Sequence, residues 1–165
     1  MNMDTQQIGI IGKHVLIANL LAANLEVAEP IRDHGIDLIV FRDDKKDGGF
    51  LACPVQLKAA TDEAFELYSK YERFPGLKIV YVWNLRDPKD AKFYCLTYLE
   101  AVNVLKKMQG AQFSILEEKK HWVTTKPSKA LKDMLKEFQV DAPKEWPRRF
   151  GMTESNLASS KPKQR

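Results

Sequence analysis

Asp37, Gln56 and Lys58 are the residues whose types and spacing point to chemistry. Asp37 stands in Gly35-Ile36-Asp37-Leu38-Ile39-Val40-Phe41, and the other two in Pro54-Val55-Gln56-Leu57-Lys58. A carboxylate and an amide oxygen are hard donors of the kind that Mg²⁺ selects. A lysine beside them can orient or deprotonate an attacking water and offset charge developing on a phosphate. An acid followed at a distance by Q-x-K therefore suits metal-assisted phosphodiester cleavage. Spacing alone is an unspecific signal, and the plainer reading of the same residues is an ion pair between Asp37 and Lys58 that holds the strands together.

These residues must be positioned by two strand-like apolar runs. The segment between them, Arg42-Asp43-Asp44-Lys45-Lys46-Asp47-Gly48-Gly49, is charged and ends in paired glycines, which suits a solvent-exposed reversal. A β-hairpin follows. Side chains alternate across a strand, so Gln56 and Lys58 share one face while Val55 and Leu57 take the other. Asp37 lies with Ile39 and Phe41, opposite Ile36, Leu38 and Val40. The three polar groups are thus expected to meet on one side of the hairpin.

Ahead of the hairpin, residues 8–24 carry apolar side chains at helical spacing, including Ile8, Ile11, Val15, Leu16 and Leu20. Asn19 falls four residues after Val15, on or beside that face, where its amide either hydrogen-bonds structurally or looks into a polar site. Leu25 to Glu29 reads as a strand stopped by Pro30. After Lys58, Thr61 can cap a short helix with Ala64, Phe65, Tyr68 and Tyr71 as its stripe. Leu77 to Leu85 and Phe93 to Leu96 read as strands, with Tyr81 and Trp83 as core. Thr97 and Glu100 have capping-box spacing, placing a helix from Tyr98 to about Met108. Phe113 to Leu116 and His121 to Val123 read as short edge strands about a charged turn, and Pro127-Ser128 opens a last helix through Phe138. This order predicts an α/β fold, a mixed central β-sheet flanked by α-helices.

A helix opened by Gly12, a strand, the phrase Asp33-His34-Gly35-Ile36-Asp37-Leu38-Ile39-Val40 and then Pro54-Val55-Gln56-Leu57-Lys58 together resemble the PD-(D/E)xK nuclease-like superfamily over roughly residues 8–96. The resemblance implies a restriction-endonuclease-like core: an α-helix, three antiparallel strands, a helix and a further strand. It implies Asp37 and Gln56 as metal ligands, Mg²⁺ or Mn²⁺ as the cofactor, and Lys58 as the catalytic lysine. It also implies DNA as the nucleic-acid partner, and a homodimer as a natural arrangement for cutting two strands.

Two positions depart from the family pattern. Gln56 stands where most members have an acid, and looks like the Q-x-K form found in some branches. Asn19 falls where many relatives carry a glutamate on the first helix, as a water or ligand organiser. Neither carries charge, and a unit charge pair at ~4 Å is worth about 4 kcal/mol at an effective dielectric near 20. Glu26 and Glu29 are the neighbouring carboxylates that could restore one. The rival to a nuclease is thus a catalytically inactive member of the same fold that binds nucleic acid or a protein; blander still is an interaction protein whose central charges stabilise the fold. Lys13, His14 and His34 lie near these elements in sequence and read as solvated surface.

The chain has 165 residues, of which 44% are hydrophobic and 29% charged, as expected of one globular domain, here residues 1–150. Residues 151–165 read as a flexible basic tail whose deletion should leave the core folded. From Ala142 onward six basic residues face two acidic ones, which leaves 20 of each sign before it. Overall basicity therefore says nothing of a nucleic-acid groove in the core. Cys53 and Cys95 lack metal-ligand or redox spacing and read as buried free thiols of a reducing compartment. The longest apolar stretch falls short of the ~20 residues that span a bilayer, and the start does not read as a secretory signal. A cytoplasmic protein without a membrane partner is the expectation.

Overall fold

A computed structural model describes residues 3–32, 34–43, 48–108 and 110–160. The fold is α/β, built on a mixed six-stranded sheet with helices on both faces. Helix α1 (Thr5–Ala22) opens with a capping box in which the Asp4 carboxylate accepts the Gln7 backbone N–H. Strands β1 (Glu26–Ala28), β2 (Leu38–Asp43) and β3 (Phe50–Ala59) follow as an antiparallel meander. Next come β4 (Phe65–Tyr68), a 3₁₀ turn over Ser69–Arg73, and β5 (Lys78–Trp83), which pairs parallel to β3. Strand β6 (Lys92–Thr97) returns antiparallel to β5 and runs into α2 (Tyr98–Lys107), where the Thr97 and Glu100 capping box forms as expected. Helix α3 (Gln112–Lys119), β7 (His121–Thr124), α4 (Lys129–Leu135), β8 (Gln139–Val140), α5 (Trp146–Arg149) and α6 (Glu154–Ser159) complete the chain. The central sheet runs β1-β2-β3-β5-β6-β8; β4 and β7 form a separate antiparallel pair.

Alternation along the strands divides the core between the two faces. Leu38, Val40, Cys53, Val55, Val80 and Val82 pack under α1 with Leu16 and Leu20, and Trp146, Phe150 and Met152 extend this layer. Ile79, Tyr81, Trp83, Tyr94 and Leu96 point the other way, toward β4, α2, α3 and α4. Tyr81 and Trp83 are fully buried, as their alternation with valines implies. Helix α1 lies close on the sheet at Gly12, where an added Cβ would fall 2.5 Å from the Ala59 Cβ. Both cysteines are free and buried. No helix among the described residues is long and apolar enough to cross a membrane.

Three segments differ from the sequence expectation. The helix expected after Thr61 is β4 and a 3₁₀ turn: Phe65 and Leu67 are buried at period two, Phe65 stacks on Tyr81 with centroids 4.6 Å apart, and β7 supplies the ladder. Long-range pairing here overrides local helical spacing. Phe113 to Leu116 is not a strand but part of α3, with Leu116 buried against the α2 layer. Beyond Gly151 the chain is not a flexible tail as far as Ser160, because Met152 and Leu157 are buried and α6 forms. Residues 161–165 of that tail, Asp33, and the turn at 44–47 lie outside the described residues.

Candidate functional site

The site sits where the sheet forks. Strand β3 pairs with β2 only as far as Leu38 opposite Val55, and from Val55 to Ala59 it pairs with β5. Past Val55 the chain entering β2 turns away, so the next donor on that edge of β3, the Leu57 N–H, meets no β2 carbonyl. Asp37 supplies the acceptor: its backbone N–H donates to the Val55 carbonyl at 2.8 Å, and its Oδ2 accepts the Leu57 N–H at 2.7 Å. A side-chain oxygen thus continues the ladder where the backbone leaves it, which meets the demand that a sequestered amide be paired. The carboxylate is held by this geometry with its charge at the fork.

Gln56 lies beside it, a buried amide 7% exposed. Its Nε2 donates to Asp37 Oδ2 and also reaches the Leu57 carbonyl oxygen at 3.2 Å. One nitrogen therefore sits between two hard oxygen acceptors. Lys58, 17% exposed at its side chain, ion-pairs at 2.8 Å with Glu66, which β4 presents from across the crossover. Its ammonium lies 4.9 Å from the centroid of the Tyr68 ring and 5.6 Å from that of Tyr71, both favourable cation–π placements. Burial pulls the Lys58 pKa down, but the hydrogen bonds to Glu66 and Tyr71 and the charge of Glu66 outweigh it, leaving it above the ordinary lysine value. Lys58 is therefore an ammonium at neutral pH, fitted to attract and orient anions and not to take a proton.

Asp37 and Lys58 both open on a cleft of about 570 Å³ between the fork and the first half of α1. Its α1 wall is Thr5, Gln6, Gly9, Ile10 and Lys13, and Glu29 stands at its lip with its carboxylate 2.7 Å from the Lys13 ammonium. A larger hollow of about 670 Å³ lies between Phe74, Tyr98, Val102 and Phe113. It contains none of the fork residues, so its size does not make it the site.

The sequence-predicted residues are thus distributed unevenly. Asp37, Gln56 and Lys58 come together. Asn19 does not join them: its Nδ2 donates to Val15 O on its own helix at 3.2 Å, and the charged α1 residue that lines the cleft is Lys13. Six residues at about 100° each put Asn19 some 240° around the axis from Lys13 and about 9 Å farther along. Of Glu26 and Glu29, Glu29 reaches the cleft. His14 bonds the Ile10 carbonyl of its own helix, and His121 stacks on Tyr68. Glu66 was hidden in sequence by the helix read there, although the alternation of Phe65 and Leu67 with Glu66 and Tyr68 is the signal of a strand with Glu66 on its polar side.

The donors suit a hard divalent cation in kind but are short of charge. Among the described residues no group of three or more His, Cys, Asp or Glu side chains is arranged around a common metal position. Glu66 and Glu29 are each engaged by a lysine, and Gln56 turns its nitrogen toward Asp37. The same amide carries an oxygen, and a half-turn of its last torsion would offer Asp37 Oδ2, Gln56 Oε1 and the Leu57 carbonyl as three hard donors at the fork. No family model, no curated protein and no solved structure matches the chain.

Proposed function

We propose that this chain is a nuclease-like domain that hydrolyses phosphodiester bonds in DNA with a divalent metal ion, Mg²⁺ or Mn²⁺. The observation that carries the reading is the fork itself, which sets the Asp37 carboxylate and the Lys58 ammonium on one cleft, with the buried Gln56 amide bonded to Asp37. The order of elements agrees with the resemblance in part: a helix and three antiparallel strands lead to a further strand, but β4 and a 3₁₀ turn stand where a PD-(D/E)xK-like core would have a helix. Asp37 and Gln56 are the residues that would hold the metal. A divalent ion there supplies a polarised water and positive charge beside the scissile phosphate. Lys58, held as an ammonium, draws a phosphate oxygen into the cleft and stabilises charge that develops on it. Lys13 faces the same space and adds a second cation for the backbone of the substrate.

A second reading, a non-catalytic nucleic-acid-binding module of the same fold, is favoured by one specific observation: the Gln56 nitrogen bridges Asp37 and the Leu57 carbonyl, and Lys13 stands on α1 where a further acid would help a metal. Calorimetry with Mg²⁺ and Mn²⁺ on the wild type and Asp37→Ala, beside cleavage assays on linear and branched DNA with wild type and Lys58→Ala, separates the two. The nuclease reading expects metal binding that disappears with Asp37 and cleavage that disappears with Lys58. Salt-sensitive DNA binding by a folded wild type without metal uptake or cleavage would overturn it in favour of the module.

A further inference from the structure

We infer that Glu66 is a positioning residue for Lys58, an internal anion that holds the ammonium at the fork and yields it to a phosphodiester. This deepens the proposed function and rests on it. Four observations converge. Glu66 Oε1 meets the Lys58 ammonium at 2.8 Å with both side chains largely screened from water. The Tyr68 hydroxyl donates to Glu66 Oε2 at 3.2 Å, so the carboxylate is anchored from behind. The backbone is pinned as well, because the fully buried Tyr81 donates its hydroxyl to the Glu66 carbonyl at 2.7 Å. Finally, Glu66 and Lys58 both line the cleft that Asp37 opens on. A carboxylate presents an ammonium with the same oxygen chemistry as a phosphodiester, so an entering phosphate competes with Glu66 for Lys58.

The charged and polar groups facing the Lys58 ammonium are Glu66 and Tyr68 from β4 and Tyr71 from the 3₁₀ turn, with Asp37, Lys13 and Glu29 around the same cleft. Among the described residues Glu66 is the one whose carboxylate touches it in an ion pair. Its removal leaves the ammonium with the Tyr68 and Tyr71 rings but without its carboxylate partner, less firmly directed and open to an anion from the cleft. Binding and turnover are then expected to move in opposite directions.

The test measures the affinity of a fluorescent DNA duplex across a salt series in EDTA, together with kcat and KM for its cleavage in Mg²⁺, for wild type, Glu66→Gln, Glu66→Asp and Tyr68→Phe. Glu66→Gln is expected to bind several-fold more tightly with a salt slope steeper by about one phosphate contact, while kcat falls at least tenfold. Glu66→Asp, which keeps the anion, should restore wild-type binding. Tyr68→Phe, which only loosens Glu66, should shift both quantities the same way but less, and carries the test if Glu66→Gln fails to fold. A variant that loses binding and turnover together, or leaves both unchanged in a wild type that cleaves, overturns the inference and leaves the nuclease reading intact. A wild type that does not cleave, beside a Glu66→Gln that gains salt-sensitive binding, sustains the inference and removes catalysis from the proposed function. Absence of binding in every protein, all of them folded by circular dichroism, overturns both.

Discussion

Gln56 aims its amide nitrogen at Asp37, and the same nitrogen reaches the carbonyl oxygen of Leu57 at 3.2 Å. A donor is thus placed between two acceptors at the point where a cation would be welcome. Replacing that donor with an anion should expose the preference.

In Gln56→Glu two carboxylates confront one another at the fork, and a hydrogen bond to a charged group is lost, so the metal-free variant should be about 1–3 kcal/mol less stable at neutral pH. One of the paired carboxyls then has a raised pKa, because a neighbouring anion favours its protonated form. The folded state accordingly keeps a proton that the unfolded chain releases, so the deficit grows as pH rises through the carboxyl range and shrinks in acid. Millimolar Mg²⁺ should restore several degrees of melting temperature to the variant and much less to the wild type. Equal responses to Mg²⁺ in thermal melts at pH 7 would mean that the fork is not a metal position.

Gly12 and Gly9 make a controlled pair on α1. A methyl at Gly12 would sit 2.5 Å from the Ala59 Cβ and 3.1 Å from Leu85 Cδ1, so α1 must lift from β3. At Gly9 a methyl meets nothing within 4 Å. Alanine is preferred over glycine in a helix by about 1 kcal/mol. Gly9→Ala should therefore stabilise by up to about that amount, whereas Gly12→Ala should destabilise by about 1–3 kcal/mol through overpacking. Urea unfolding of the two variants checks this, and equal effects would mean that α1 does not approach β3 so closely.

The two thiols give a prediction about pH. Burial pushes the Cys53 thiol up to about 11, against the opposing pull of the Lys78 charge, and pushes Cys95 up to about 12. A thiol reacts as its thiolate, so neither should be alkylated by iodoacetamide in the native protein at pH 8, and both should be once it is unfolded. The unfolded chain releases these protons near pH 9 while the folded one keeps them, so stability should decline as pH climbs above about 9. Mass spectrometry of the labelled protein, with melts from pH 7 to 10, tests both statements.

How much of this was legible in the sequence depended on the range of the interaction. The faces of β2 and β3 follow from period two alone, which is why Asp37, Gln56 and Lys58 were expected together and are found together. The capping box at Thr97 is equally local. The crossover was not legible, because Ala64, Phe65, Tyr68 and Tyr71 fit a helical stripe as well as Phe65 and Leu67 fit a strand, and the arbiter is β7, more than fifty residues away. Glu66 was lost with it. Asn19 is the α1 residue that the resemblance singles out, but α1 is apolar over so much of its surface that periodicity does not say which side meets the fork. Gly12 carries that information, since the close approach of α1 to β3 needs a helix position without a Cβ.

The last prediction concerns residues 151–160, where composition was misleading. The segment is small and polar apart from Met152 and Leu157, yet these two are 1% and 4% exposed and extend the layer under α1 toward the β2–β3 hairpin. Polar contacts lock it in place. Arg42 on β2 donates to the Met152 carbonyl at 3.0 Å and pairs with Glu154, and the Phe50 backbone N–H donates to Ser160 Oγ at 3.0 Å. An added Cβ on Gly49 would meet the Leu157 carbonyl at 2.7 Å, so the segment lies directly on the hairpin. Burying one such side chain is worth about 1.5–3 kcal/mol, and the two together about 3–6 kcal/mol. A chain ending at Phe150 should therefore melt roughly 10 °C or more below one ending at Ser160, which keeps every one of these contacts. Because Asp37 leads directly into β2 and Gln56 lies on β3, the shorter chain should lose affinity for DNA along with its stability. Matching melting temperatures for the two lengths would mean that α6 is not part of the cooperative fold.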